Sequence, residues 1–303
     1  MSAPEYAARL LYVLAWLIGR LPLRTQQGLG TLLARLAYRR NTREAKVARR
    51  NLELVPAAAG GREPEQAVRA ILAQTGRNAL ETLRIWTRPR RDNLALVRTV
   101  HGEAHLQAAL AAGRGVIVAA PHYGNWELLI EFMAAHGPFS LVYRVPESRV
   151  GDAFLRLARG GENVRLVPAE ASAMRPLYKA LQAGEAVGIT PDQQPKLGNG
   201  EFAPFFGLPA LTLSLIPKLA ARSGAAVLFG YAERRTDGLF DLHFEPADPA
   251  VAAPDLARAT AALNAGVEAI VRRDPSQYQW TYKRYTLRPP GSGEANPYPR
   301  SCR

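Results

Sequence analysis

The sequence predicts an α/β fold: a mixed, mostly parallel sheet flanked by helices, with an N-terminal helical extension that associates with a membrane. Three observations predict it. From about residue 100, short apolar runs alternate with stretches of helical periodicity. Before residue 90 nothing reads convincingly as a strand. Residues 10–19 form an unbroken apolar run between Arg9 and Arg20.

That run falls short of the roughly 20 residues needed to span a bilayer. No small-residue cleavage site follows it, only Leu21-Pro22-Leu23-Arg24. Tyr12 and Trp16 suit a membrane interface, and Arg39, Arg40, Arg43, Lys46, Arg49 and Arg50 add positive charge downstream. The segment reads as a monotopic helix or short anchor; the alternative is a soluble core helix. Leu29, Leu32, Leu33 and Leu36, then Ala67, Ala70, Ile71 and Leu72, recur at helical spacing. Gly60-Gly61 marks a turn and Pro89 closes the last helical stretch. Residues 1–90 are therefore expected as the helical extension, 91–288 as the α/β domain, and 289–303, with four prolines and two glycines, as a disordered tail.

Within 91–288 the strand candidates are 115–120, 139–145, 164–167, 186–190, 225–231 and 240–244, each short and apolar enough to be buried. Helical patterns fall at 103–112, 126–135, 173–183, 211–222 and 255–273. The last two strands flank Arg234-Arg235-Thr236-Asp237-Gly238, whose Asp-Gly signals a hairpin, so that pair is expected to be antiparallel.

At 303 residues and 48% apolar composition, the chain can bury a core without disulfides or metals. Its only cysteine, Cys302, excludes a disulfide framework and a Cys/His zinc set, and no His-Glu-x-x-His occurs. The net charge of +13 favours anionic partners: lipid headgroups, an acidic carrier protein or nucleic acid. No nucleic-acid-binding motif accompanies the charge, so nucleic acid is not expected.

The chemistry-bearing segment is Pro121-His122-Tyr123-Gly124-Asn125-Trp126-Glu127. It lies where a buried strand ends and a helix begins, the usual place for ligands in open α/β sheets. Gly124 permits a sharp turn, Asn125 can cap the helix, and Glu127 falls in its first turn. His122 and Glu127 can then face each other, the carboxylate fixing one imidazole nitrogen while the other takes a proton from a hydroxyl. Five histidines and 26 acidic residues in 303 generate about 0.4 such spacings by chance. The chain has two, the other being His243–Asp248, which lacks a glycine hinge. Spacing and context leave His122 open between a catalytic and a capping histidine.

The segment resembles the His-x4-Asp/Glu motif of the bacterial lipid A biosynthesis acyltransferases, the late lauroyl and myristoyl transferases. The resemblance covers most of the chain, through Arg49-Arg50-Asn51-Leu52-Glu53-Leu54, Tyr143-Arg144, Arg159-Gly160 and Pro191-Asp192-Gln193. Pro204-Phe205-Phe206-Gly207 is similar to the family's Phe-x-Gly element. Gln277-Tyr278-x-Trp280 with Lys283-Arg284 is similar to its C-terminal signature.

The resemblance implies a glycerolipid-acyltransferase-like fold and direct transfer from an acyl thioester, on acyl carrier protein or CoA, to a hydroxyl of a lipid A precursor. His122 would be the general base, assisted by Glu127. No covalent acyl-enzyme, bound cofactor or metal is expected. Location would be the cytoplasmic face of the inner membrane. Arg159 and backbone N–H groups near Gly124 are candidate oxyanion donors, Arg159 being equally readable as an exposed helix-end residue. Asp192 and Gln193 would line the sheet edge beside His122, or form a polar turn. Arg144 would meet a phosphate or sugar, or a surface ion pair. Phe205 and Gly207 would border an acyl groove, or Phe205 would be plain core. The alternatives are an O-acyltransferase for a lysophospholipid, another glycerolipid or an amino-acid lipid, and a non-catalytic basic protein bound to anionic membranes.

Overall fold

The computed structural model describes residues 2–302, and of Ala171 only the backbone. Four long helices come first: α1 (Ala3–Gly19), α2 (Leu23–Arg39), α3 (Arg43–Leu54) and α4 (Pro64–Ile85). Pro64 opens α4, and the preceding Glu63 carboxylate accepts the Gln66 N–H at 3.0 Å. The short α5 (Arg90–Leu94) leads into the α/β part. Its elements run β1 (Val97–His101), α6 (Glu103–Ala111), β2 (Val116–Ala119), α7 (Trp126–Ala135), β3 (Phe139–Tyr143), α8 (Arg149–Arg159), β4 (Val164–Pro168), α9 (Met174–Gln182) and β5 (Ala186–Ile189). Then follow β6 (Gly200–Phe205), β7 (Leu208–Leu213), α10 (Leu215–Ser223), β8 (Ala226–Arg234), β9 (Phe240–Pro246) and α11 (Leu256–Arg273).

Seven strands form one sheet in the order β1-β9-β8-β2-β5-β3-β4. Every pair is parallel except β8–β9, the hairpin that Asp237-Gly238 announces. The central strand β2 is buried on both faces, as its continuous apolar run requires. Its residues alternate between two apolar cores: Ile117 and Ala119 pack into one, Val116 and Val118 into the other. The α/β fold class read from the sequence, a mostly parallel sheet flanked by helices and preceded by a helical extension, is the one observed.

Three local expectations change. Val97–His101 is an edge strand paired with β9, and its half-exposed, polar-interrupted pattern hides it from an apolar-run criterion. Residues 200–213 form a separate antiparallel hairpin, β6–β7, so the helix expected from 211 begins at Leu215. The tail is docked: Tyr298 is buried and donates its hydroxyl to Asn51 Oδ1 at 2.6 Å, while Arg50 Nε donates to the Pro297 carbonyl. A composition of proline and glycine does not weigh one well-placed aromatic anchor.

The helical extension shows an inverted pattern. On α2 the small residues Gly30 and Ala34 turn inward, where Gly30 lies in backbone contact with Gly76 of α4. Leu29, Leu32, Leu33 and Leu36 point outward and are exposed, as are Leu10, Leu14 and Leu17 of α1. Among the described residues no single helix is long and apolar enough to cross a membrane; α1 and α2 pass that test only as a pair bent by 110°.

Candidate functional site

Strands β2 and β5 are parallel neighbours with Ala119 opposite Ile189, and His122 and Asp192 each lie three residues beyond that pair. Equal offsets from one register bring both side chains to the same carboxyl edge of the sheet. The Asp192 carboxylate is almost wholly buried and accepts twice from His122: from its backbone N–H at 2.8 Å and from ring Nδ1 at 2.8 Å. Since a carboxylate only accepts, the proton lies on Nδ1 and Nε2 carries the free lone pair. Burial alone would raise the Asp192 pKa, but the His122 ring and the His122 and Asp192 backbone N–H groups outweigh it and hold the carboxyl below its usual value. The ring itself is 13% exposed, and its second nitrogen is Nε2. There it meets the Gln193 side-chain amide at 3.2 Å, and that amide also donates to Gln279 Oε1 at 3.1 Å.

Glu127 is not the partner of this histidine. Its buried carboxylate accepts from Arg159 Nε at 3.1 Å to each oxygen, from Arg159 Nη2, and from Trp86 Nε1 at 2.9 Å. Neighbouring residues in a helix point about 100° apart. Trp126 therefore turns toward His122, with ring centroids 5.5 Å apart, while Glu127 turns toward α8 and the end of α4. Trp126 joins the two groups, since the Arg159 guanidinium lies over its ring at 4.7 Å. Arg159 is thus held beside Trp126 and is not an exposed helix end; among the described residues its Nη1 makes no hydrogen bond.

The turn between His122 and Asn125 is set by backbone contacts. Gly124 has φ +58°, and a Cβ there would meet the Ala232 carbonyl oxygen at 1.8 Å. The Tyr123, Gly124 and Asn125 N–H groups donate to the carbonyls of Pro121, Gln277 and Ala232. They are therefore not free to serve as oxyanion donors. Asn125 makes no side-chain cap, which leaves the first N–H groups of α7, on Trp126 and Glu127, at an uncapped helix N-terminus beside His122.

The C-terminal signature supports the same turn. Tyr278 bridges Tyr123, Gln279 N–H donates to the His122 carbonyl, and buried Trp280 donates Nε1 to the Pro275 carbonyl. Asn51 of α3 holds this segment from behind, donating to the carbonyls of Trp280 and Tyr282. The family-like elements at 49–54 and 275–284 are thus the scaffold of the His122 turn. Beneath it, the fully buried Glu81 pairs with Arg234, an arrangement that sequence reasoning missed because its partners lie 153 residues apart.

Of the remaining candidates, Arg144 stays at the same carboxyl edge, three residues beyond the Leu141–Gly188 pair, while Phe205 and Gly207 separate from the site. Arg144 is exposed at the end of β3 and has no hydrogen bond among the described residues. Phe205 is fully buried among Tyr278, Trp280 and Tyr285, with ring centroids 6.0–6.4 Å away, so it borders no groove. Gly207 and Phe206 both have positive φ (79° and 50°), making the Phe-x-Gly element the two-residue turn of the β6–β7 hairpin. No group of three or more metal-ligating side chains occurs among the described residues.

Residues 1–286 match the family model described as bacterial lipid A biosynthesis acyltransferase. The chain is 28% identical over 278 residues to the lipid A biosynthesis lauroyltransferase of Escherichia coli K12, covering 91% of this chain and 90% of that protein. It is 28% identical over 277 residues to the lipid A biosynthesis palmitoleoyltransferase of the same strain, again over 91% and 90%. To a phosphatidylinositol mannoside acyltransferase of Mycobacterium tuberculosis it is 32% identical over 185 residues, 59% of this chain and 58% of that protein. This chain therefore belongs to the bacterial lipid A biosynthesis acyltransferase family and is an O-acyltransferase.

Proposed function

We propose that this protein moves a fatty acyl group from an acyl thioester, carried on acyl carrier protein or CoA, directly onto a hydroxyl of a lipid A precursor. His122 Nε2 takes the proton of the acceptor hydroxyl as that oxygen attacks the thioester carbonyl carbon. Asp192 holds the Nδ1 proton and stabilises the imidazolium that forms. The tetrahedral oxyanion is met by Arg159 Nη1 and the free N–H groups at the start of α7. Collapse expels the thiolate, which recovers the proton from Nε2. Glu127 acts through Arg159: it fixes the guanidinium in place and does not touch the imidazole.

The observation that carries this reading is the Nε2 atom itself: deprotonated by tautomer, oriented by a buried carboxylate, and covered by one displaceable amide. A protein that only adhered to anionic membranes would have no use for that arrangement. The same reading seats the chain on the cytoplasmic face of the inner membrane, with the outward leucines of α1 and α2 in the interface and the basic surface against anionic lipid. A different glycolipid acceptor is a second reading, motivated by the mannoside acyltransferase similarity.

Mass spectrometry of lipids from cells with the intact gene, the gene deleted, or His122→Ala decides between them. Loss of one acyl chain from lipid A in both altered strains is expected. A change confined to another glycolipid selects the second reading. An unchanged lipidome in the His122→Ala strain removes the base assignment.

A further inference from the structure

The His122–Asp192 pair joins two loops that leave the sheet after Ala119 and Ile189. One segment, residues 277–287, touches both loops. On the His122 side, the Gln277 carbonyl accepts the Gly124 N–H at 3.0 Å, and the Gln279 N–H donates to the His122 carbonyl at 3.0 Å. On the Asp192 side, the Tyr282 hydroxyl accepts the Gln194 N–H at 3.0 Å, and the Leu287 N–H donates to Gln194 Oε1 at 3.0 Å. The spacing of the imidazole and its carboxylate therefore depends on the shape of this segment.

Beyond the short 3-10 turn at Pro275–Gln277 the segment has no helix or strand of its own, so side chains from elsewhere must fix it. Asn51 of α3, wholly buried, uses both amide N–H groups on it: one on the Trp280 carbonyl at 2.6 Å, the other on the Tyr282 carbonyl at 2.9 Å. Among the described residues, the donor to Asn51 Oδ1 is the Tyr298 hydroxyl of the tail, at 2.6 Å. The same hydroxyl accepts the Tyr285 N–H at 3.2 Å. One oxygen atom thus reaches the segment directly and again through Asn51. Tyr298 and Cys302 are both buried in the larger core, and Arg50 Nε donates to the Pro297 carbonyl at 2.8 Å, so the tail is held at several points. Without the hydroxyl, Asn51 Oδ1 and the Tyr285 N–H lose their partners inside the protein, which is unfavourable. Rotating the Asn51 amide to find another donor would release the Trp280 and Tyr282 carbonyls instead.

We infer that Tyr298 is a positioning residue for acyl transfer: the C-terminal tail clasps residues 277–287 through Asn51 and so holds His122 Nδ1 on Asp192. The inference rests on the reading of His122 as the base, whose Nε2 is aimed while Nδ1 stays on the carboxylate. Misplacing a reacting group by about 1 Å costs on the order of 10²-fold in rate, even when the altered residue is remote. A residue that acts through the base alone changes kcat and leaves KM in place.

Tyr298→Phe keeps the buried ring and removes the one oxygen. In the full-length protein, in neutral detergent with a defined acyl thioester and purified glycolipid, kcat should fall about ten- to a hundredfold. Both KM values should stay within about threefold. The His122 Nδ1 proton, read by NMR in protein carrying 15N-histidine, should exchange with water at least about tenfold faster. Tyr231→Phe is the matched control, because that buried hydroxyl donates to Glu245 Oε1 at 2.5 Å and makes no bond to Asn51. It should lose comparable stability to denaturant with kcat within about twofold of the wild type. Arg50→Met, which loosens the tail at its half-exposed end, should move kcat and exchange the same way by about two- to fivefold. It stands in for Tyr298→Phe if that variant does not fold. Wild-type kcat and exchange in folded Tyr298→Phe, or an equal loss of kcat in Tyr231→Phe, would overturn the inference. If His122→Ala retains transfer while Tyr298→Phe still speeds exchange, the base assignment fails and the clasp stands. If His122→Ala abolishes transfer and Tyr298→Phe changes neither readout, the clasp alone fails.

Discussion

Asp192→Asn separates the two carboxylates that the His122 motif brings into question. In the wild type a buried carboxylate accepts from Nδ1 at 2.8 Å, which puts the charge centres about 4 Å apart once the imidazolium forms; at an effective dielectric near 20 that is about 4 kcal/mol. An asparagine can still accept the His122 backbone N–H through its oxygen, so the turn survives. Its amide nitrogen then faces Nδ1, which must become the acceptor, and the ring proton moves to Nε2, where the base should be. The expected result is a fall in kcat of roughly 10³-fold or more from the lost 4 kcal/mol, with acceptor KM within about threefold. Initial rates of acyl transfer from a defined acyl thioester to purified glycolipid, taken at several acceptor concentrations, measure both. Retention of more than a tenth of wild-type kcat would refute the assignment of Asp192 as the orienting carboxylate.

Other perturbations follow from the same geometry. Glu127→Gln leaves the Arg159 charge nearly buried without its counter-ion, so stability to denaturant should drop by about 3 kcal/mol; a variant as stable as the wild type contradicts the pairing. Burial pushes the Glu233 pKa up, but the His243 ring 3.4 Å away and hydrogen bonds from Arg273 and Tyr123 outweigh it and lower the value to about 2. Its stabilisation, about 3 kcal/mol at neutral pH, is fully present above the unfolded value near 4.5 and is lost as pH falls toward 2. Glu233→Gln should therefore flatten the acid side of the stability curve, and an unchanged slope in acid titration argues against it. Replacing Leu32 and Leu33 together with Asp should weaken binding to anionic vesicles by at least about tenfold without lowering the melting temperature. A lowered melting temperature would instead mean that this face packs against the protein.

How much of this was legible in the residues depends on which interactions are local. The buried strand ending at Ala119, the glycine turn and the helix from Trp126 all declare themselves within one short stretch, Val116 to Ala135, because strand burial, φ > 0 and helical period are properties of short segments. The histidine's true partner does not. Asp192 becomes its neighbour only through the pairing of Ala119 with Ile189, and no spacing rule states which strands of a sheet lie side by side. Glu127 looked like the partner for the opposite reason, being close in sequence, yet one residue of helical rotation carries it to Arg159. Phe205 stayed open between groove and core because adjacent aromatics beside a glycine suit a lipid groove as well as a hairpin turn, and only the pairing of β6 with β7 settles it as core.

Helix α4 gives the N-terminal extension its meaning. One of its sides packs against α2 through the Gly30–Gly76 contact, and another supplies Gln74, Thr75 and Asn78 to the wall beside His122. The leucines of α2 face outward on the side that α4 does not cover. Two packed helices, α2 and α4, therefore stand between the apolar face and the base. An extension that merely tethered the enzyme would need no residue in the site; one that supplies a wall of it also sets the depth at which the acceptor is read.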